Sequence, residues 1–322
     1  GQHIYLGVQL AGVHGVGGYR AQVFTEETKF LVTTAGALIL IELINRSYFL
    51  IDRYFAPQFG EGIVSALNYS QVLVQLPDSI VGFAIGGVVF PMFSAHSGEG
   101  DRQKFWGLYS RSVTVAFLMA VPIAGALFVS APEVVYLLFQ RGEFDPVSTQ
   151  ITVTVLRPYL PALIALFLVS MSIRACYSGG WVRSVFYASV GVFAVKVIGT
   201  AVLSRWMGYA GISAGTSLAE VSFALILVGT VVYRLRPDGG GAFVWTLVRI
   251  LIAGVAAAVL AGLVLAWLPE GMKEISRTAA IGRILVAGSV MVVGYVVIAS
   301  LLGLREQFAG LRMRRTSQGS GV

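Results

Sequence analysis

The sequence predicts an all-α, polytopic membrane helix bundle. Hydrophobic residues make up 56% of the 322 residues and charged residues 12%, about half the charged share of an ordinary soluble domain. Mean hydropathy is +0.79. That is more apolar surface than a soluble fold of this size can hide, so the bulk solvent must be lipid. Eight apolar stretches are each long enough to span a bilayer, which takes about 20 helical residues.

In chain order the expected spans are 31–56, 65–94, 110–130, 147–177, 184–204, 208–233, 242–268 and 281–304. Residues 1–30 read as the end of a truncated span (4–16) followed by a cytoplasmic loop. The glycine-rich run 12–19 reads as the end of that helix entering the loop, and it matches neither a P-loop nor a dinucleotide fingerprint. The chain opens on Gly1 with no charged n-region before a short apolar stretch, so no signal peptide is expected. Residues 31–235 form one six-helix unit. Pro237 and the glycines after it make a joint, 236–304 hold a two-helix unit of mostly small and aliphatic residues, and 305–322 form a basic cytoplasmic tail.

Loop charge sets the orientation. Arg102, Lys104, Arg183, Arg234, Arg236 and the arginines of the tail fall on one side. Glu133, Glu143 and Asp145 against Arg141, and Glu270 and Glu274 against Lys273 and Arg277, fall on the other. The positive-inside rule makes the first side cytoplasmic, with both ends on it. The net charge of +7 is therefore assigned to loops facing anionic lipid, and no nucleic-acid partner is expected. One cysteine, Cys176, and three scattered histidines (His3, His14, His96) offer no metal-ligand spacing. Neither a cofactor nor a catalytic centre is expected; a coupling cation is the one small ligand left open.

Polar residues inside the spans are the functional signal, since a charge at mid-bilayer costs roughly 2.5–3.5 kcal/mol on insertion scales. The first span carries Glu42, Asn45, Arg46, Asp52 and Arg53, mostly at helical spacing on one face. Glu42 and Arg46 also stand at i,i+4, the spacing of an intrahelical ion pair. The second span carries Asn68, Gln71, Gln75 and Asp78; the fourth, Arg157; the fifth, Lys196; the sixth, Glu220. Charges on this many helices predict a shared water-filled cavity, with Glu42, Asn45, Arg46, Asp52, Asn68, Gln71, Gln75, Arg157, Lys196 and Glu220 as its candidate residues. A short turn at 205–208 puts Lys196 and Glu220 at similar depth on antiparallel neighbours, so these two are expected to pair. Pro77, Pro122, Pro158 and Pro161 fall inside spans. Such breaks are tolerated in membranes where neighbours re-satisfy the backbone. Gly82-xxx-Gly86 and Gly211-xxx-Gly215 predict close helix contacts.

Several stretches resemble the MurJ/MviN family of lipid II flippases, within the multidrug/oligosaccharidyl-lipid/polysaccharide exporter superfamily. They are Ile51-Asp-Arg-Tyr-Phe-Ala56, Gly60-Glu-Gly-Ile-Val-Ser-Ala-Leu-Asn-Tyr69, Leu76-Pro77, Gly82-Phe-Ala-Ile-Gly-Gly-Val-Val-Phe-Pro91, Leu138-Phe-Gln-Arg-Gly-Glu-Phe144, Arg174-Ala-Cys-Tyr177 and Tyr209-Ala-Gly-Ile-Ser-Ala-Gly-Thr-Ser217. Their order and spacing cover roughly the first 235 residues. The resemblance implies that 31–235 is the second lobe of a fourteen-helix fold, followed by its final helix pair. It also implies transport of an undecaprenyl-pyrophosphate-linked sugar precursor across the bacterial inner membrane by alternating access, with membrane lipids and peptidoglycan-synthesis proteins as partners. The small-residue surface of the final pair would accommodate the lipid tail. Two departures stand out. Where the family has Asp-Arg-Leu, with the arginine facing the cavity, this chain has Gln71-Val72-Leu73, and a position often Asn in the family is Lys196. Arg46 is the candidate replacement charge. Three other readings compete: a flippase for another lipid-linked oligosaccharide, a cation-coupled drug exporter using Glu42 or Glu220, and a non-transporting envelope scaffold. An intramembrane enzyme is disfavoured because no nucleophile–base pair is visible.

Overall fold

The computed structural model describes residues 26–95, 102–267 and 276–304. Among the described residues every regular element is helical. They are α1 (Glu26–Phe55), a 3-10 turn (Ala56–Phe59), α2 (Ile63–Ala95), α3 (Arg102–Val129), α4 (Ala131–Phe139), α5 (Pro146–Ser178), α6 (Val182–Met207), α7 (Ala210–Leu235), α8 (Gly240–Ala266) and α9 (Arg277–Leu301). The expected partial span 4–16, the glycine run 12–19, the charges Glu270, Lys273 and Glu274, and the tail 305–322 lie outside the described residues.

Among the described residues, seven helices are long and apolar enough to cross a membrane: α1 with its 3-10 extension, α3, and α5 to α9. At 33 residues α2 also has the length, and Asn68, Gln71, Gln75 and Asp78 fall in its first half. Two boundaries differ from the sequence reading. The third span starts at Arg102, because its first two turns form a basic, amphipathic lead-in. The loop expected after it is partly the short helix α4, started by Pro132 in its first turn. The N-terminus of α5 matches its sequence signals. Pro146 stands in the first turn and the Asp145 carboxylate accepts the Ser148 N–H at 2.7 Å. That bond holds the Asp145 carboxyl below the usual carboxylate range.

The central helix is α5, flanked by α2, α3, α4 and α7. Its side chains dominate the main apolar core, with Leu156, Leu163, Phe167 and Met171 all but fully buried. α6 packs along α7, and α1 leans on α6. α8 and α9 pack on each other and, through Val121 and Phe117, on α3, forming a second cluster around Ile250, Met291 and Tyr295. Gly211 and Gly215 permit the α6–α7 contact. A Cβ on Gly215 would stand 2.4 Å from Thr200 Oγ1 and 2.7 Å from its Cα, and one on Gly211 would stand 2.2 Å from the Leu203 carbonyl oxygen. The small-xxx-small pattern thus brings the two backbones together, as the sequence predicts.

The prolines of α5 are accommodated by a neighbour. Pro158 and Pro161 lie inside the helix. The Ser217 hydroxyl of α7 donates to the Pro158 carbonyl at 2.6 Å and accepts the Ala162 N–H at 3.2 Å. These are an i,i−4 pair, so the hydroxyl is spliced into the helical ladder where the prolines loosen it.

Candidate functional site

α1 and α2 each carry about one polar residue per turn, so each has one polar face. In the bundle these faces meet. A cavity of about 750 Å³ opens between α1, α2, α5 and α7. Asn45, Arg46, Tyr48 and Asp52 line it from α1, Asn68, Gln71 and Gln75 from α2, Tyr159 from α5, and Thr216 and Glu220 from α7. Seven of the ten candidate residues are thereby brought together: Asn45, Arg46, Asp52, Asn68, Gln71, Gln75 and Glu220.

The other three sit elsewhere. Glu42 is not part of the lining, because the cavity stops one turn short of it. It accepts from Arg46 Nε at 2.7 Å, an exposed i,i+4 pair that positions the guanidinium at the cavity's rim. Arg157 faces away. Two residues apart on a helix point to opposite sides, so Tyr159 enters the cavity while Arg157 lines separate clefts on the far side of α5.

Lys196 lies behind the cavity wall with no exposed surface. Its ammonium donates to Asp52 Oδ1 on α1 and to Thr216 Oγ1 on α7, the latter at 2.6 Å. This corrects the expected Lys196–Glu220 pair. The depth arithmetic holds, since Gly199 faces Gly215 across the α6–α7 contact. But the lysine's four-carbon stem carries its charge toward Thr216, where Asp52 arrives from a third helix. Glu220 makes no ion pair among the described residues, and its carboxyl side chain lines the cavity.

Sequence reasoning missed Tyr48, Tyr159 and Thr216. The one available signal was spacing: Thr216 stands four residues before Glu220, on the same face of α7. The wall carries amide, guanidinium and hydroxyl donors together with one free carboxylate, and aromatic rings from Tyr48, Phe49 and Tyr159. Such a surface can bind a large, polar, hydroxyl-rich or phosphorylated group.

Comparison with known proteins agrees with this architecture. The family profile "Lipid II flippase MurJ" matches residues 8–286. The chain belongs to the MurJ lipid II flippase family. It is 28% identical over 218 residues to the lipid II flippase MurJ of Burkholderia cenocepacia, covering 66% of this chain and 41% of that one. It is 30% identical over 259 residues to the probable lipid II flippase MurJ of Rhizobium meliloti, covering 80% and 47%. A solved structure, "Lipid II flippase MurJ, inward closed conformation", superposes with a TM-score of 0.67 at 16% identity, over 83% of this chain and 53% of that one. The chain spans about half the length of the curated relatives it matches.

Val72, the residue that stands at the arginine position of the Asp-Arg-Leu resemblance, lines the cavity from α2, and Arg46 lines the same cavity from α1. Arg174, in one of the resembling stretches, lies outside the cavity and ties two of its walls together. Its guanidinium donates to the Ser170 carbonyl at 2.7 Å and hydroxyl at 2.6 Å, and to the Gly82 carbonyl of α2 at 3.2 Å. The Gly82 carbonyl lies one turn past Pro77, so the arginine clamps α2 just beyond its helix-interior proline.

Proposed function

We propose that this protein is a flippase that moves a polyprenyl-pyrophosphate-linked peptidoglycan precursor, lipid II, across the bacterial inner membrane by alternating access. This chain contributes the second lobe and the final helix pair. The observation that carries the reading is the polar cavity between α1, α2, α5 and α7, open at one side and rimmed by Arg46. A sugar–pyrophosphate head needs hydrogen-bond donors and a cation while it is away from water. The cavity offers Arg46, Asn45, Gln71 and Gln75 for this. Family membership supports the same reading. In this proposal α2 is an eighth span, its polar face turned to the cavity rather than to lipid, and both ends of the chain are cytoplasmic. Glu220, the cavity carboxylate without an ion pair, is where a coupling cation or proton would bind.

The test is depletion of the full-length protein followed by measurement of cytoplasmic-side precursor. Depletion should cause the precursor to accumulate. Wild-type protein should clear it, and Arg46→Ala should not, at equal membrane abundance. Clearance by Arg46→Ala would remove Arg46 from substrate handling, and no accumulation on depletion would end the flippase reading.

A further inference from the structure

Behind the cavity, on the opposite face of α5, two clefts meet end to end at one residue. The deeper cleft, about 660 Å³, lies between α3, α5 and α8 and is walled almost wholly by apolar or small side chains, among them Val121, Phe128, Ile164, Val255 and Gly262. The outer cleft, about 390 Å³, lies between α4, α5 and the start of α9, and its wall includes the polar side chains Glu133, Gln150, Thr154, Ser276 and Arg283. Among the described residues, Arg157 is the one that lines both.

Arg157 stands about three turns into α5 yet makes no hydrogen bond or ion pair among the described residues; its guanidinium lies 5.5 Å from the Phe128 ring. An arginine at that depth without an acidic partner is costly. Its two neighbouring charges already cancel, because Arg283 donates to Glu133 at 2.9 Å. Even so, Arg283 Nε and Glu133 Oε2 are buried without hydrogen-bond partners. Among the described residues the site therefore has net charge +1, two unmet polar atoms at its outer end and an apolar channel beneath. Along α8 the channel runs from Gly262 to Leu251, eleven residues or about 17 Å. That is close to the depth of one bilayer leaflet, half of roughly 30 Å.

We propose that the clefts hold one anionic glycerophospholipid of the leaflet at this end of the bundle. Its phosphate diester pairs with Arg157, its headgroup lies in the outer cleft beside Glu133 and Arg283, and an acyl chain fills the apolar cleft. The polarity runs in the order a leaflet lipid requires, polar at the membrane surface and apolar toward mid-bilayer. A single negative charge matches the site's net charge, which a zwitterionic lipid does not. A polyprenyl chain longer than one leaflet would overrun the cleft. Assigning this leaflet to the outer side rests on the topology proposed above; the site itself does not.

The test is native mass spectrometry of the purified full-length protein in detergent, titrated with phosphatidylglycerol, with phosphatidylethanolamine of the same chains, and with undecaprenyl pyrophosphate. Phosphatidylglycerol should be retained in preference to phosphatidylethanolamine. Arg157→Gln should lower that retention on the order of tenfold, the scale of one lost charge-assisted bond, and Arg157→Lys should keep part of it. Gly262→Phe fills open space, since a Cβ there meets nothing within 4 Å, and should weaken both phospholipids alike. Equal retention of the two phospholipids, an unchanged preference in Arg157→Gln, or displacement of phosphatidylglycerol by undecaprenyl pyrophosphate in an Arg157-dependent manner would each overturn the proposal. None of these readouts depends on transport, so failure here leaves the flippase reading standing.

Discussion

Replacing Lys196 by Met removes a buried charge and strands another. The structure sets the scale. Lys196 has no exposed side-chain surface and Asp52 retains 11%, so water can do little to screen the loss. Breaking a buried pair from one side costs about 3–5 kcal/mol, because the remaining charge is left uncompensated. The ammonium also bonds Thr216 at 2.6 Å, and a hydrogen bond to a charged group is worth about 1.5–3 kcal/mol. Lys196→Met should therefore destabilise strongly, and so should Asp52→Leu. The double variant, with both charges gone and the volume kept apolar, should be less destabilised than the sum and even than either single change. Thr216→Val should fall below both singles. The assay is reversible unfolding of the full-length protein in mixed micelles, arranged as a double-mutant cycle. A coupling energy within about 0.5 kcal/mol of zero, the range of independent sites, would refute the reasoning.

Three further outcomes are expected. Gly215→Ala drives a methyl into Thr200, 2.7 Å from its Cα, and should cost about 1–3 kcal/mol by overpacking, whereas Gly229→Ala, with open space around it, should change the same unfolding measurement little. Cysteines at Asn45 or Gln71 should react with a water-soluble thiol reagent in intact membranes. One at Leu50, 65% exposed on a wholly apolar side chain and outside the cavity lining, should not, and the buried native Cys176 leaves the background quiet; equal labelling at all three would contradict a hydrated cavity. Ser217→Ala leaves the Pro158 carbonyl and Ala162 N–H without their bridge and should destabilise by about 1–3 kcal/mol, while Ser222→Ala, whose hydroxyl bonds only its own helix, should be nearly silent in a thermal shift.

Helix existence was legible because each span must satisfy its own backbone in lipid, so apolar length alone announces it. What failed were features that length does not encode. α4 is nine residues, too short to register as a span, and the first turns of α3 are polar. Which α2 residues share a face was readable from spacing, and Asn68, Gln71 and Gln75 do line one cavity. Which helix supplies a charge's partner was not. Chain connectivity makes α6 and α7 neighbours and so suggested Glu220 for Lys196, but nothing in the sequence says that α1, whose Asp52 stands 144 residues before Lys196, lies against α6. Arg157 misled for a simpler reason: an intramembrane charge signals a polar environment, but not which of a helix's two faces that environment is on.

The walls of the cavity divide into a stiff part and a pliant part. α1, α6 and α7 are held together by the Lys196 ammonium, which touches both other helices, and by glycines that seat the α6 and α7 backbones against each other. Separating these would expose a buried charge and open a close-packed seam, both costly. α2 and α5 are built the other way. Each is interrupted by proline, Pro77 and Pro91 in one and Pro158 and Pro161 in the other. Each interruption near the cavity is tied by polar groups from a neighbour, Arg174 to the Gly82 carbonyl and Ser217 to Pro158 and Ala162. Proline lowers the stiffness of a helix where it removes a ladder bond. Under the alternating-access proposal, a cavity that opens to either side of a membrane needs at least one wall that bends. By these contacts that wall is α2, the helix least bound to the unit of α1, α6 and α7, whereas α5 is packed into the core beside α7.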